Sequence, residues 1–171
     1  MANKHGVVIT THCAAWNVDA FNYAGIATTD LDNGTFVALG DLQKTEGVID
    51  EYTFTVTPDA NGASKYKYIV ASPVVGTTLA MQLTGDPREF CNEANRPLSV
   101  KRVVEGDCIE VIGANFEDGS APTDKPTATA ATIGANGKLA MADEGTFKLL
   151  GTKTIAIGQE LVPSYVLQYI A

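Results

Sequence analysis

The stretch Leu98–Phe116, LSVKRVVEGDCIEVIGANF, is the segment around which the rest of the chain is predicted to be organised. It contains two runs rich in strand-forming residues, Leu98–Val104 and Cys108–Ile112, separated by Glu105-Gly106-Asp107. A short connector with Gly and Asp between two such runs is the usual signal for a β-hairpin. The sequence therefore predicts a hairpin here, in the middle of the main sheet.

Two flanking segments alternate with the period of a β-strand. In Tyr52–Thr57 the large apolar residues alternate with threonines, and in Lys65–Val70 tyrosine and valine alternate with lysine. The turn sequence Pro58-Asp59-Ala60-Asn61-Gly62 lies between them. Alternation of this kind is typical of antiparallel strands with one buried and one solvated face, so residues 52–70 are predicted to form a second hairpin.

The remaining signals are also those of a β protein, with one short exception. Further strands are predicted at Thr35–Leu39, Lys138–Ala142, Thr146–Leu150, Thr154–Ile157 and Val166–Ile170. The order Asp86-Pro87-Arg88-Glu89 supplies an N-cap acceptor and a proline at the first helical position, which predicts a helix of about two turns over Pro87–Ala94. The predicted fold class is mainly β: a single antiparallel β-barrel or sandwich domain with one short helix and an extended N-terminal arm.

Two segments stand apart from this pattern. Residues 1–24 show no clean period, yet they contain Trp16, Phe21 and Tyr23. We interpret them either as a first strand of the domain or as an arm whose three aromatic residues dock on a subunit or capsid surface. The β domain then spans 25–171, and the stretch 117–132, which has no large apolar residue, is predicted to be an exposed, mobile loop.

One short sequence occurs twice in similar form. Gly34-Thr35-Phe36-Val37-Ala38-Leu39-Gly40 resembles Gly145-Thr146-Phe147-Lys148-Leu149-Leu150-Gly151, and each copy follows an acidic turn. The two copies mark either equivalent strands of the architecture or only a recurrent way of starting a strand. No long-period repeat accompanies them.

Composition excludes several classes of protein. With 45% hydrophobic and 19% charged residues, the 171-residue chain is predicted to fold and to bury a core. Its net charge of −8 would repel phosphate backbones, which argues against nucleic acid as a partner. We find no secretory leader and no apolar run long enough for a membrane span, so a protein made and soluble in the cytoplasm is expected. The three widely spaced cysteines are expected to be reduced thiols.

The candidate chemical sites are weak. His5, His12 and Cys13 lack the tight spacing of a zinc site, and the calcium-like start at Asp30–Gly34 has its glycine misplaced, so we predict no metal and no cofactor. No nucleophile signature, phosphate loop or paired general acid and base emerges, and we assign no catalytic residues. The chain is predicted not to be an enzyme.

Several phrases resemble a known family. The segments NGTFVALGDL, YTFTVTP and KYKYIVASPVV, followed by VVEGDCIEV and GKLAMADEGTF, are similar to head decoration, or auxiliary capsid, proteins of tailed bacteriophages. The resemblance extends loosely over residues 25–171, and VVEGDCIEV and GKLAMADEGTF contribute most to it.

The resemblance implies a non-enzymatic structural protein that binds the outer surface of a phage capsid and stabilises the lattice. Its partner would be the major capsid protein, it would form a homo-oligomer, with a trimer as one option, and it would be located on the virion exterior after synthesis in the bacterial cytoplasm. The alternative is a phage tail or fibre component, or a carbohydrate-binding β-sandwich module that recognises the host surface.

Overall fold

The computed structural model describes residues 4–76, 79–117, 121–122 and 129–171. The strands in these residues are β1 (Val8–His12), β2 (Asn22–Ala27), β3 (Phe36–Thr45), β4 (Val48–Pro58), β5 (Lys67–Val70), β6 (Pro97–Val103), β7 (Cys108–Ile112), β8 (Ala130–Ile133), β9 (Leu139–Ala142), β10 (Phe147–Ile157) and β11 (Glu160–Tyr169). One α-helix, α1 (Leu79–Thr84), and 3-10 turns at Ala14–Trp16, Asp19–Phe21, Ala60–Gly62, Pro87–Glu89 and Gly113–Asn115 complete the described elements.

The strands form two layers. One is a six-stranded sheet in the order β1-β7-β11-β10-β8-β9, and the other is a closed barrel in the order β2-β4-β3-β5-β6. All pairings are antiparallel except that of β2 with β4. The predicted fold class, a mainly β domain of the antiparallel barrel or sandwich type, is confirmed.

Apolar side chains form two clusters, one inside the barrel and one between the barrel and the six-stranded sheet. The barrel interior is filled by small and branched residues, among them Val37, Val70 and Val100. Strands β3 and β5 turn their alternate residues, Phe36 and Ile69, towards the six-stranded sheet, where they enter a larger core. At these positions both faces of β3 and β5 are therefore buried. The larger cluster is the core that the two layers share.

The predicted hairpin over residues 98–112 is wrong, although its turn exists. Asp107 closes the turn, since its backbone N–H bonds to the Val104 carbonyl at 3.0 Å and its side chain accepts from the Val104 N–H at 2.9 Å. However, β6 pairs with β2 and β5, whereas β7 pairs with β1 and β11. The turn carries the chain from the barrel to the sheet, because Val100 is needed inside the barrel and Val111 in the shared core.

The predicted hairpin over residues 52–70 is also wrong. Strand β3 lies between β4 and β5, and pairs with both. The expected solvated face of β5 is buried instead: Lys67 is 7% exposed and Ile69 is fully buried against the sheet. Period-2 alternation marked these residues as strands, but it carries no information on which strand lies beside which.

The predicted helix is shorter than expected. Asp86 caps a single 3-10 turn, Pro87–Glu89, by accepting a hydrogen bond from the Arg88 N–H. Phe90 then adopts an extended conformation, and Asn92 forms a bridge with Leu31, which ends the turn well before Ala94. The α-helix lies earlier in the chain, at Leu79–Thr84. No helix in the described part of the chain has the length and apolar character needed to cross a membrane.

The segment 1–24 is divided between the two layers. Of its two interpretations, the pairing of Val8–His12 with β7 favours a strand of the domain for that stretch, and β2 already begins at Asn22. The predicted boundary at residue 24 thus falls inside a barrel strand.

The predicted loop 117–132 is too long at its C-terminal end, since Ala130–Ile133 form β8 with Ala131 fully buried. Small alanines suit this strand because Ala131 pairs directly with the large, buried Phe147. Residues 118–120 and 123–128 of that loop lie outside the described residues.

Candidate functional site

One end of the barrel is lined by aromatic side chains. Tyr23 from β2 makes edge-to-face contacts with Phe54 of β4 and Tyr68 of β5, at ring-centroid distances of 5.8 and 5.4 Å. All three rings are half-buried. Such contacts add about 0.5–1.5 kcal/mol each beyond the area they bury. We call Tyr23, Phe54 and Tyr68 the aromatic end of the barrel.

Two cations from the end of β6 connect this region to the other predicted site residues. The Arg102 guanidinium lies 5.3 Å from the Phe21 ring and 4.3 Å from the Tyr66 ring, both cation–π distances. The Lys101 ammonium lies 5.8 Å from the Trp16 ring. Trp16 is 61% exposed. The structure therefore places Trp16, Phe21 and Tyr23 next to the C-terminal end of β6. Within the described residues, no ring-to-ring contact joins Trp16 or Phe21 to Tyr23.

The β3–β4 hairpin projects beyond the aromatic end. Strand β2 accompanies β4 only from Thr53 onward, and β5 accompanies β3 only at Phe36 and Val37. Beyond these points β3 and β4 pair only with each other, out to Thr45 and Val48. Their register shifts on either side of Leu42, so residues 50–53 of β4 form an irregular stretch of the hairpin. A two-residue turn, Glu46-Gly47, joins them with both residues at positive φ, as tight hairpin turns require.

The projecting part of this hairpin carries exposed apolar residues. Val48, Ile49 and Tyr52 are 68%, 46% and 83% exposed. We define these three residues as the hairpin tip. The tip was not predicted from the sequence, because Val48 and Ile49 precede the clean alternation that begins at Tyr52. The signal that could have revealed it is the dipeptide Glu46-Gly47 between two runs of strand-forming residues.

The three residues His5, His12 and Cys13 are not brought together. His12 pairs across the sheet with Cys108, and the Cys13 thiol is buried 3.4 Å from the Cys108 carbonyl. Burial, with the Asp107 carboxylate nearby, raises the pKa of Cys13 to about 12. All three cysteines are free thiols, as expected.

His5 belongs instead to a cluster that the sequence did not indicate. Its Nδ1 lies 2.7 Å from Asp32 Oδ1, and the Cys91 Sγ lies 3.9 Å from the same oxygen. The three side chains come from segments 27 and 59 residues apart, so no local spacing could reveal them. Burial first, and then neighbouring carboxylates led by Asp32, raise the pKa of Cys91 to about 11.

This cluster does not have the geometry of a cysteine nucleophile. The Cys91 hydrogen-bonding contacts are with Asp32, the Leu31 carbonyl and the Asn92 carbonyl, and none is with the imidazole. A raised pKa keeps the sulfur protonated at neutral pH, whereas an activated nucleophile needs a lowered one. Among the described residues, no thiol or hydroxyl forms a hydrogen bond with a histidine side chain.

A partly buried ionic group holds the turn of the second long hairpin, β10–β11. Arg88, 5% exposed, donates to both oxygens of Asp86 and, at 2.7 Å, to Glu160, which also pairs with Lys4 at 2.8 Å. The hydrogen bonds from Arg88 lower the pKa of Asp86 and raise that of the guanidinium. Glu160 is the first residue of β11, so this ionic group anchors the β10–β11 turn. The group consists of Lys4, Asp86, Arg88 and Glu160.

No family model, curated protein or solved structure matches this chain.

Proposed function

We propose that this protein is a non-enzymatic structural component of a tailed phage, which binds the outer surface of the capsid and stabilises its lattice. The observation that carries the proposal is the projecting β3–β4 hairpin with its exposed tip. Three apolar side chains held out from the domain on a paired, two-stranded support gain free energy only when something covers them.

The hairpin tip has the properties of an interface anchor. Tryptophan, tyrosine and arginine in the centre of an interface often account for most of the binding energy, with about 2 kcal/mol or more lost on truncation, and Tyr52 is a residue of this kind. Tyr52 lies next to the aromatic end of the barrel, so a partner that covers the tip would also contact half-buried rings. Trp16, 61% exposed, offers a second anchor on the same domain.

Charge and repetition favour the outside of a capsid over the packaged genome. The net charge of −8 is unfavourable next to DNA and tolerable on an outer shell. On a symmetric lattice, a homo-oligomer would engage several copies of the major capsid protein at once, and linked weak contacts then act together.

The test is co-sedimentation of the purified protein with empty phage heads, compared with tails and with host cells. We expect attachment to heads, and a large loss of attachment for the combined variant Val48→Ser, Ile49→Ser and Tyr52→Ser. Leu161→Ser is the matched control, because Leu161 is 77% exposed on the other long hairpin. Equal attachment of both variants would show that the tip is not the contact, and absence of any binding to heads would overturn the proposal.

The second candidate, recognition of a host-surface carbohydrate or a place in the tail or fibre, is favoured by the exposed rings of Trp16, Tyr52 and Tyr66. Sugars stack on such rings. The same experiment separates the two, because retention on cells or on their purified polysaccharide, lost in Trp16→Ala or Tyr52→Ala, would support recognition of the host surface.

A further inference from the structure

The His5, Asp32 and Cys91 side chains lie together because three backbone segments are fixed around them. The His5 N–H donates to the Arg88 carbonyl at 2.8 Å, which places the chain before β1 against the turn that precedes Cys91. Leu31 and Asn92, the neighbours of Asp32 and Cys91, exchange two backbone hydrogen bonds of 2.9 and 3.0 Å. The three donors are therefore positioned by main-chain contacts and not by their own side chains alone.

The donor set is chemically specific. One imidazole nitrogen, one carboxylate oxygen and one sulfur lie within 4.8 Å of one another. Calcium and magnesium take oxygen ligands, whereas zinc accepts nitrogen, sulfur and oxygen together. Tetrahedral zinc places ligand atoms roughly 3.3–3.7 Å apart, since the bonds are about 2.0–2.3 Å long. The observed separations from Asp32 Oδ1, 2.7 Å to His5 Nδ1 and 3.9 Å to Cys91 Sγ, lie on either side of this range.

The surroundings favour a cation and leave room for one. Asp30 and Glu93 add their charges to that of Asp32 at the Cys91 sulfur. Among the described residues, Lys138 is the lysine or arginine that forms an ion pair with Asp32. Its Nζ lies 3.6 Å from Asp32 Oδ2. The other oxygen, Oδ1, faces His5 and Cys91.

Cys91 also lines an open cleft of about 500 Å³, together with Phe90 and Asn92. The cleft gives solvent access to the Cys91 side of the cluster.

We propose that His5, Asp32 and Cys91 form a binding site for a divalent cation of the zinc type, which clamps the segment before β1 to two loops at the barrel. On binding, the thiol proton leaves to solvent and the Nδ1 proton of the neutral His5 ring moves through solvent to Nε2. The thiolate sulfur, the His5 Nδ1 and an Asp32 carboxylate oxygen then each donate one electron pair to the metal. No redox change is involved. The inference stands on this cluster alone and does not depend on the proposed function.

The experiment is titration of the full chain, stripped with a chelator, with Co²⁺ and then with competing Zn²⁺. We expect one equivalent of Co²⁺ to produce a thiolate-to-cobalt charge-transfer band, and Zn²⁺ to abolish it. At a Zn²⁺ concentration about a hundredfold above Kd, the thermal midpoint should rise by roughly 5–10 °C. Absence of the band, or a midpoint that does not respond to Zn²⁺, would overturn the proposal.

Matched variants locate the site. Cys91→Ser should remove the charge-transfer band, and His5→Gln should weaken Co²⁺ binding by about 100-fold or more, since even supporting residues of metal sites cost 10–100-fold. His5 is partly exposed near the chain start, so this variant is expected to fold. Cys108→Ser is the control, because Cys108 pairs with His12 at a separate place. A band that survives in Cys91→Ser but disappears in Cys108→Ser would assign the metal to that other pair and overturn the proposal.

Discussion

The two long hairpins, β3–β4 and β10–β11, begin on similar sequence and end in different surroundings. Each starts with the Gly-Thr-Phe phrase, and the two phenylalanines, Phe36 and Phe147, are fully buried with ring centroids 5.0 Å apart. In both places the phrase leads into the first strand of a long hairpin, one in each layer, and the two rings meet in the larger core. The similarity ends at the turns.

The two turns differ in what lies around them. A side-chain carbon added at Gly47 would meet nothing within 4 Å, whereas one added at Gly158 would meet Asp86 at 3.2 Å. Next to Gly158, Ile157 is buried and Glu160 joins the ionic group of Arg88. The β10–β11 turn thus packs against its own domain, although Leu161 beside it is 77% exposed, whereas nothing in the described part of the domain packs on the β3–β4 turn.

The largest expected effect is at the common base of the hairpins. Phe147→Ala and Phe36→Ala should each lower the free energy of unfolding by about 3–5 kcal/mol, because each leaves a cavity in the shared core. Urea unfolding at neutral pH is the measurement. If one substitution were much milder than the other, the two layers would not share one cooperative core.

The next effect concerns the anchor of β10–β11. Arg88→Met should cost about 3 kcal/mol, the lower end for breaking a buried ion pair, because it leaves the Asp86 carboxylate without its guanidinium. Glu160→Gln should shift the urea midpoint much less, since the Glu160 side chain is 58% exposed. Equal losses of stability in Arg88→Met and Glu160→Gln would contradict this, because they would mean that the exposed Arg88–Glu160 pair matters as much as the buried Arg88–Asp86 pair.

The same anchor predicts a pH dependence. The pKa of Asp86 is lower in the folded protein than in the unfolded chain, so its contribution is present above the unfolded value of about 3.9 and is lost as pH falls through the folded value. We therefore expect the stability difference between the natural chain and Asp86→Asn to be largest near neutral pH and to shrink in acid. A difference that is independent of pH between 7 and 3 would contradict this account.

A smaller effect distinguishes the two turns. Gly47 and Gly158 both have positive φ, so alanine at either should cost about 1–2 kcal/mol. Gly158→Ala should cost more than Gly47→Ala, because only Gly158 is packed against Asp86. Thermal midpoints of the two variants provide the comparison, and the reverse order would show that the β3–β4 turn is the more constrained one.

The smallest effect on stability is expected at the hairpin tip. Ile49→Ser and Val48→Ser should each change the free energy of unfolding by less than about 0.5 kcal/mol, as surface substitutions usually do. Calorimetry of the isolated protein checks this. A loss comparable to that in Arg88→Met would mean that the tip stabilises the domain itself and is not held out for a partner.

Local sequence determined the strands, the turns and one cap. Alternation at Tyr52–Thr57 located β4, Asp86 was recognised as an N-cap acceptor, and the strand predicted at Val166–Ile170 coincides with the end of β11. These features depend on residues within a few positions of one another. Backbone geometry and hydrogen bonding at that range are set by the residues themselves.

Tertiary structure alone decided which strands are neighbours and which side chains meet. The turn at Glu105–Asp107 could serve a hairpin or a crossing between layers, and the choice depended on Val100 and Val111 fitting different cores. His5, Asp32 and Cys91, and the anchor of Arg88 with Glu160, likewise join residues distant in sequence. The physical reason is that a period-2 pattern specifies which face of a strand is buried, whereas its partners are chosen by packing of the whole chain.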